Sequence, residues 1–230
     1  MHAPTGSRVH DAKEASRRDR YLLLARDWSV VVGVGVGALV VLAKIGQDVF
    51  AGGTGAFDNA VRTWIITHQS PAPAAFFYWV SKLGSVGPME VCAVLAATYL
   101  WYSGRRYGAA SVLVAPVFAV TTYELMKSAY GRSRPSGLGR VFESDPSFPS
   151  GHSTATVAVC CTVAYVFVQE GLVRRGPALA LAIGVPLLVG LSRVYLDVHW
   201  ATDVLGGWSG GLVIAALSWS LYRRNRRAHG

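Results

Sequence analysis

Six apolar segments constrain the fold of this chain more than any other feature. Each comes close to the roughly 20 residues that a helix needs to cross the hydrocarbon core of a membrane, and only the second, through Glu90, carries a charge. Six such segments in 230 residues leave little polar surface for a soluble fold. The sequence therefore predicts an all-α polytopic membrane protein with six transmembrane helices, over residues 28–43, 86–103, 107–123, 153–169, 177–192 and 204–222.

Composition and charge support this class. Only 15% of the residues are charged, against about 25% in soluble domains, which argues against a disordered chain and most soluble enzymes of this size. The net charge of +9 would suit a nucleic-acid binder, but most basic residues stand in short pairs or tails beside the apolar segments, so we predict no nucleic-acid partner. The three cysteines lie inside apolar segments, where packing is expected rather than disulfide or metal chemistry.

Basic residues mark one side of the six predicted spans. They precede the first span, follow the last, and form the pairs Arg105-Arg106 and Arg174-Arg175 between spans. Because basic connections face the cytoplasm, we predict a multi-pass protein of the cell (inner) membrane with both termini cytoplasmic. The predicted parts are a cytoplasmic tail over 1–27, a membrane domain over 28–222 and a basic cytoplasmic tail over 223–230.

The first connection on the opposite side covers residues 46–85 and shows no catalytic pattern. Its residues 56–67 have apolar side chains at helical spacing, which predicts a helix lying on the bilayer surface. Pro71 and Pro73 are expected to break that helix before an aromatic cluster at 76–79.

The other two connections on this side collect ionisable residues, which are functional candidates at a membrane face. Fixed cations match a phosphate, and the apolar helix that follows Pro149-Ser150-Gly151 offers free backbone N–H groups to an anion. His199 and Asp203 share a helix face if the helix has already begun there, so Asp203 could orient the imidazole. His152 would then protonate the leaving oxygen. The candidates are Lys127, Arg134, Ser150, Gly151, His152, Arg193, His199 and Asp203.

A metal site at His152, His199 and Asp203 is the rival interpretation. Three neighbouring cations, Lys127, Arg134 and Arg193, would repel a metal ion, and no companion set of ligands accompanies the histidines. We therefore expect no metal.

The motifs resemble the three signatures of the type 2 phosphatidic acid phosphatase (PAP2) superfamily. They read Lys127…Arg134-Pro135, Pro149-Ser150-Gly151-His152 and Ser192-Arg193…His199…Asp203, and the resemblance covers a motif core at about 107–211. It implies a helical core like that of the haloperoxidases, without metal or cofactor. It also implies His199 as nucleophile, Asp203 as its orienting partner and His152 as general acid. The implied phosphate ligands are Lys127, Arg134, Ser150, Gly151 and Arg193.

The predicted function is a metal-independent lipid phosphatase with its site on the extracytoplasmic side and a phosphohistidine intermediate. Its expected substrate is a lipid phosphate or diphosphate, namely undecaprenyl pyrophosphate, phosphatidylglycerol phosphate or phosphatidic acid. A phosphotransferase that passes the phosphoryl group to an acceptor lipid, and a non-catalytic lipid-binding protein, remain alternatives. Arg132 and Arg140 could contact a second phosphate or could be ordinary loop charges.

Overall fold

The computed structural model describes residues 29–52, 54–135 and 143–229, which form helices and contain no β-strand. The predicted tail over 1–27, the start of the first span at Trp28, and Arg140 lie outside the described residues. The helices are α1 Ser29–Phe50, α2 Gly55–His68, α3 Pro71–Leu83, α4 Val86–Tyr102, α5 Arg106–Tyr130, α6 Gly151–Gln169, α7 Arg175–Tyr195 and α8 Ala201–His229.

Five helices are long and apolar enough to cross a membrane, namely α1, α5, α6, α7 and α8. The shorter α3 and α4 meet at a bend of 48° and pass the same test only together, so the described residues contain five candidate spans, or six if this bent pair is one span. The prediction of an all-α membrane protein is therefore confirmed, and α4 covers nearly all of the predicted second span over 86–103.

Several helices extend beyond the predicted spans, and this moves candidate residues from the connections into helix ends. Lys127 lies in the last turn of α5, which ends where Gly131 adopts a left-handed conformation with φ 56°. Arg193 lies in the last turn of α7, and Asp203 lies in the first turn of α8. A helix can continue through a charged residue when its side chain has a partner of opposite charge, and each of these three side chains has one.

The connection between the first two predicted spans is more ordered than its sequence suggests. The helix expected over 56–67 is present as α2. The expected break is present, because α2 ends at His68 and Pro71 begins a separate helix, α3. A proline is favourable at the first position of a helix, where its missing N–H group would have no partner in any case.

The core of the bundle is built around α6, which packs against α4, α5, α7 and α8. Small residues make these contacts close, as expected for helices in lipid. A Cβ atom added to Gly207 would lie 2.7 Å from the carbonyl oxygen of Ser150, and one added to Gly211 would lie 2.7 Å from that of Thr154. These glycines let α8 approach the first turns of α6, where the candidate site lies.

A proline inside α7 is accommodated by its neighbour α6. Pro186 lacks the N–H group that would bond to the carbonyl of Ala182, and the thiol of Cys161 donates to that carbonyl at 3.7 Å. The cysteine thus packs inside the bundle, as its apolar surroundings predict.

Candidate active site

His199 and Asp203 face each other where α7 leads into α8. His199 precedes α8, which begins at Ala201, so the two residues do not share one helix face as the spacing suggested. The turn nevertheless brings Nδ1 of His199 to 3.4 Å from Oδ2 of Asp203, without a hydrogen bond between them. Both side chains are buried. Asp203 is itself fixed, because its Oδ2 accepts from the backbone N–H of Trp200 at 2.9 Å.

Arg134 lies on the other side of the same imidazole. Its Nη1 is 3.0 Å from Nε2 of His199 and donates to the carbonyl of Val198 at 2.7 Å. An arginine can only donate, so Nε2 presents its lone pair to this guanidinium. The proton of a neutral His199 is then on Nδ1, which faces Asp203.

Two carboxylates from the segment before α6 meet the candidate phosphate ligands. Glu143 pairs with Arg193 and with Arg134, the latter at 2.8 Å, and its Oε2 is 3.8 Å from Nε2 of His199. Asp145 pairs with Lys127 and accepts from Arg134 at 2.9 Å. All three cations therefore converge on one place, and anionic oxygen atoms fill it.

Arg193 is the most deeply buried of these cations, with 1% of its surface exposed. Its Nη1 donates to the hydroxyl of Ser81 on α3 at 2.6 Å, while its Nε has no hydrogen-bond partner in the described part of the chain. A buried donor without a partner is costly. An oxyanion beside Arg193 would satisfy it.

The first turn of α6 supplies the remaining candidates. Ser150 is the N-cap of this helix, and its hydroxyl accepts from the backbone N–H of Ser153 at 3.4 Å. Its own backbone N–H donates to the carbonyl of Asp203 at 3.0 Å. The N–H groups of Gly151 and His152 are the ones that a helix start leaves without an intrahelical partner. The imidazole of His152 lies within electrostatic reach of Arg193 and of His199, so the two histidines belong to one site.

Burial keeps the nucleophile candidate neutral. The pKa of His199 lies well below its ordinary value of 6.5, first because burial disfavours the imidazolium and then because Arg193 and Arg134 are close. A neutral imidazole is the form that can attack a phosphorus atom.

The two carboxylates stay ionised. Burial would raise the pKa of Asp145, but its hydrogen bond to Lys127 and the charge of Arg134 outweigh burial and lower the pKa to about 2. Burial opposes ionisation of Glu143 as well, and the charges of Arg193 and Arg134 prevail, so its pKa is also lowered. Both groups are anions at neutral pH.

The structure corrects the expectation for Arg132. Its guanidinium does not face the phosphate ligands but pairs with Asp58 on α2 at 2.6 Å and with Asp203 at 2.5 Å. Asp58, Glu143 and Asp145 were missed by sequence reasoning because their partners are distant in the chain. One available signal was the Glu143-Ser144-Asp145 sequence itself, which places two acids between two basic motifs.

The family model of the PAP2 superfamily matches residues 108–227, just over half of the chain. The protein therefore belongs to this superfamily.

Individual relatives agree with this membership. Phosphatidylglycerophosphatase B of Bacillus subtilis is 43% identical over 94 residues, which are 40% of this chain and 46% of the relative. An undecaprenyl-diphosphatase of Sulfolobus acidocaldarius is 28% identical over 59% of this chain and 66% of its own length. The chain thus matches less than two thirds of the length of these relatives.

A solved structure covers more of the fold. The crystal structure of a transmembrane PAP2-type phosphatidylglycerolphosphate phosphatase from Bacillus subtilis superposes with a TM-score of 0.72 at 26% identity. The superposition covers 83% of this chain and 96% of that one. Most of the helical arrangement described above is therefore shared with a membrane phosphatase.

Proposed function

We propose that this protein is a metal-independent lipid phosphatase that transfers a phosphoryl group to His199 and then to water. The observation that carries the proposal is the position of Nε2 of His199, whose lone pair faces the place where Arg134, Arg193 and Lys127 converge on anionic oxygen atoms. A nucleophile at the edge of an anion site is the arrangement that phosphoryl transfer requires.

Substrate binding begins with an exchange of anions. Glu143 and Asp145 hold the cations when no substrate is bound, so a phosphate group has to displace them. Its oxygen atoms then take the donors of Arg134, Arg193 and Lys127, including the Nε of Arg193 that has no partner otherwise. The N–H groups at the start of α6 add further donors.

The first half-reaction breaks the bond between phosphorus and the lipid oxygen. Arg134 turns from Nε2 of His199 to the phosphate, which frees the lone pair for attack on phosphorus. As the P–N bond forms and the bond to the lipid oxygen breaks, that oxygen takes a proton from His152, which enters the step as an imidazolium beside the bound phosphate. The carboxylate of Asp203 faces the Nδ1 proton of His199 and stabilises the positive charge that develops on the ring.

Water completes the cycle. His152, now neutral, accepts a proton from the water that attacks phosphorus, the P–N bond breaks, and His199 returns to its neutral form. Each proton is accounted for within the pair of histidines. The developing negative charge on the phosphoryl oxygens is stabilised by arginine and lysine, which supply the electrostatic part that a divalent cation supplies elsewhere.

The substrate class follows from where the site lies. The helix ends that carry it belong to membrane-spanning segments, so the phosphate of a lipid can enter the site while its tail remains in the bilayer. The relatives named above as phosphatidylglycerophosphatase and undecaprenyl-diphosphatase support a phospholipid monophosphate or a polyprenyl diphosphate.

The orientation follows from the basic residues. Arg105, Arg174 and the arginines near the end of α8 lie at helix ends opposite the site, and Arg226 donates to the carbonyl of Gln169 there. The positive-inside rule assigns this end to the cytoplasm. The active site then faces the extracytoplasmic side.

The deciding experiment measures phosphate release by purified protein in excess chelator. The panel contains phosphatidate, phosphatidylglycerol phosphate and undecaprenyl pyrophosphate, each with and without an acceptor lipid. We expect free phosphate from at least one substrate, and His199→Ala is the inactive control. Strict dependence on a divalent ion contradicts the mechanism, and phosphate found only on the acceptor lipid identifies a phosphotransferase.

A further inference from the structure

The helix α2 lies outside the residues matched by the family model, yet it holds the segment that carries His199. Asp58, on its first turn, is a buried carboxylate. Its Oδ1 accepts from the backbone N–H of Thr202 at 3.0 Å, and its Oδ2 accepts from the hydroxyl of Thr202 at 2.7 Å. The start of α8, next to Asp203, is therefore fixed by a side chain of α2.

Arg132 connects the same carboxylate to Asp203. Its Nη2 donates to Asp58 at 2.6 Å and to Thr54 at 2.7 Å, while its Nη1 donates to Asp203 at 2.5 Å and to Thr202 at 2.8 Å. Both terminal nitrogens are thus directed at protein oxygen atoms rather than at the anion site. One guanidinium lies between two buried carboxylates, so it fixes Asp203 without cancelling the negative charge that faces His199.

A second arginine of the network acts one turn further along α2. Arg62 forms a two-bond ion pair with Asp197, with Nε at 2.7 Å and Nη2 at 2.8 Å from the two carboxylate oxygens. Asp197 has a left-handed backbone with φ 56°, a conformation that costs energy in most residues and needs its surroundings to hold it. This residue directs the chain toward His199, two positions later.

The indole of Trp200 lies close to both arginines. The guanidinium carbon of Arg62 is 5.9 Å and that of Arg132 is 5.6 Å from the ring centroid. Beyond α2, the backbone N–H of Ser70 donates to the hydroxyl of Tyr195 at 3.1 Å. The segment from Tyr195 to Asp203 is therefore held along its whole length.

We propose that α2 positions the nucleophile, with Asp58 acting through Arg132 on Asp203, and Arg62 acting through Asp197 on the turn before His199. Asp58, Arg62 and Arg132 are thus positioning residues, and Arg132 is not a ligand of a second phosphate. The inference rests on the proposed function, because it concerns the geometry of phosphoryl transfer.

The test compares kinetics on a lipid monophosphate and on a lipid diphosphate. Variants are Asp58→Asn, Arg62→Gln and Arg132→Gln, each purified in detergent. Matched controls are Asp48→Asn and Lys44→Gln, which alter an exposed ion pair of α1 with the same chemistry.

We expect kcat to fall at least about tenfold in the three variants, equally on both substrates, with KM changed less than about threefold. A lower kcat with little change in KM indicates that the lost interaction acts in the transition state rather than in substrate binding. Arg62→Lys should recover part of the loss because it restores the charge. The double variant Asp58→Asn/Arg132→Gln should lose little more than Arg132→Gln alone, because both act through one contact.

Inhibition by inorganic phosphate separates positioning from misfolding. We expect its inhibition constant to stay within about threefold of the wild-type value, since the anion site keeps its cations. A joint loss of kcat and phosphate inhibition shows a merely structural role and overturns the inference, as does unchanged kcat. A raised KM confined to the diphosphate in Arg132→Gln makes Arg132 a phosphate ligand and overturns it as well.

The same measurements distinguish a failure of the proposed function from a failure of the inference about α2. A wild-type protein that releases no phosphate from any lipid of the panel overturns that function and the inference with it. An active wild type with unaffected variants overturns the inference alone.

Discussion

In the proposed mechanism Glu143 competes with the substrate for Arg134 and Arg193, so replacing it should tighten substrate binding. In Glu143→Gln the amide keeps one oxygen that can accept from a guanidinium, but its NH₂ group faces the other arginine and loses that contact. The perturbation removes one negative charge and nearly preserves the shape of the side chain. The cations it releases are then ready for phosphate.

The size of the effect follows from two contacts, those of Glu143 with Arg193 and with Arg134. A hydrogen bond to a charged group contributes about 1.5–3 kcal/mol and a neutral one about 0.5–1.5 kcal/mol, so the retained contact weakens by about 1–1.5 kcal/mol and the lost contact by at least as much. The side chain of Glu143 is 21% exposed, and solvent screening reduces the sum. We take about 1.4 kcal/mol, which corresponds to about tenfold.

The assay follows initial rates of phosphate release against the concentration of a short-chain phosphatidate in mixed micelles with chelator. KM should fall about tenfold with kcat unchanged. The control is Glu124→Gln, an exposed glutamate on α5 outside this cluster. An unchanged or higher KM in Glu143→Gln refutes the competition argument, and a large fall in kcat would show that Glu143 takes part in the chemistry.

Three other predictions address the nucleophile, its pKa and the orientation. The turnover of His199→Ala should fall at least about a thousandfold and that of Asp203→Asn about 10²–10⁴-fold. Both variants should elute as folded protein in size-exclusion chromatography. Activity of His199→Ala near the wild-type level would exclude His199 as the nucleophile. Because the folded pKa of His199 lies below its unfolded value of 6.5, the unfolded chain binds a proton that the folded protein cannot. The free energy of unfolding is therefore not reduced by His199 above pH 6.5, and it falls as the pH drops below that value, by up to about 1.4 kcal/mol per pH unit. Thermal unfolding of His199→Gln should depend less steeply on pH between 7 and 5, and an equal slope contradicts the assignment. An impermeant thiol reagent should label His68→Cys but not Ser103→Cys on intact cells, and the opposite pattern inverts the topology.

The sequence predicts which candidate residues lie together better than it predicts which residues hold them in place. His152, His199 and Asp203 carry distinctive spacing, and the structure brings them to one place. Asp58 and Arg62 carry no such signal. They stand four residues apart on α2, a spacing that predicts a pair between them, yet each binds a residue more than 70 positions away. Only the packed helices show those partners.

Helix ends are the other feature that the sequence hides. Apolar length predicts where a span lies in lipid, but the ends of α5, α7 and α8 depend on whether Lys127, Arg193 and Asp203 find partners. Each does, through Asp145, Glu143 and Arg132 respectively. Ion pairs formed in the tertiary structure thus allow helices to continue past the point at which hydropathy ends them.

Arg132 and Arg134 show why counting cations overstates the number of phosphate ligands. The two residues are separated only by Ser133, in an irregular segment that follows α5. Arg132 contacts Asp203 and Arg134 contacts Nε2 of His199, so the two arginines lie on either side of the His199–Asp203 pair. Only Arg134 also contacts the carboxylates that occupy the anion site. Arg132 is committed to buried carboxylates that would be left without a partner if it moved. In the proposed mechanism the same short segment therefore supplies one cation for the substrate and one for the orientation of the nucleophile.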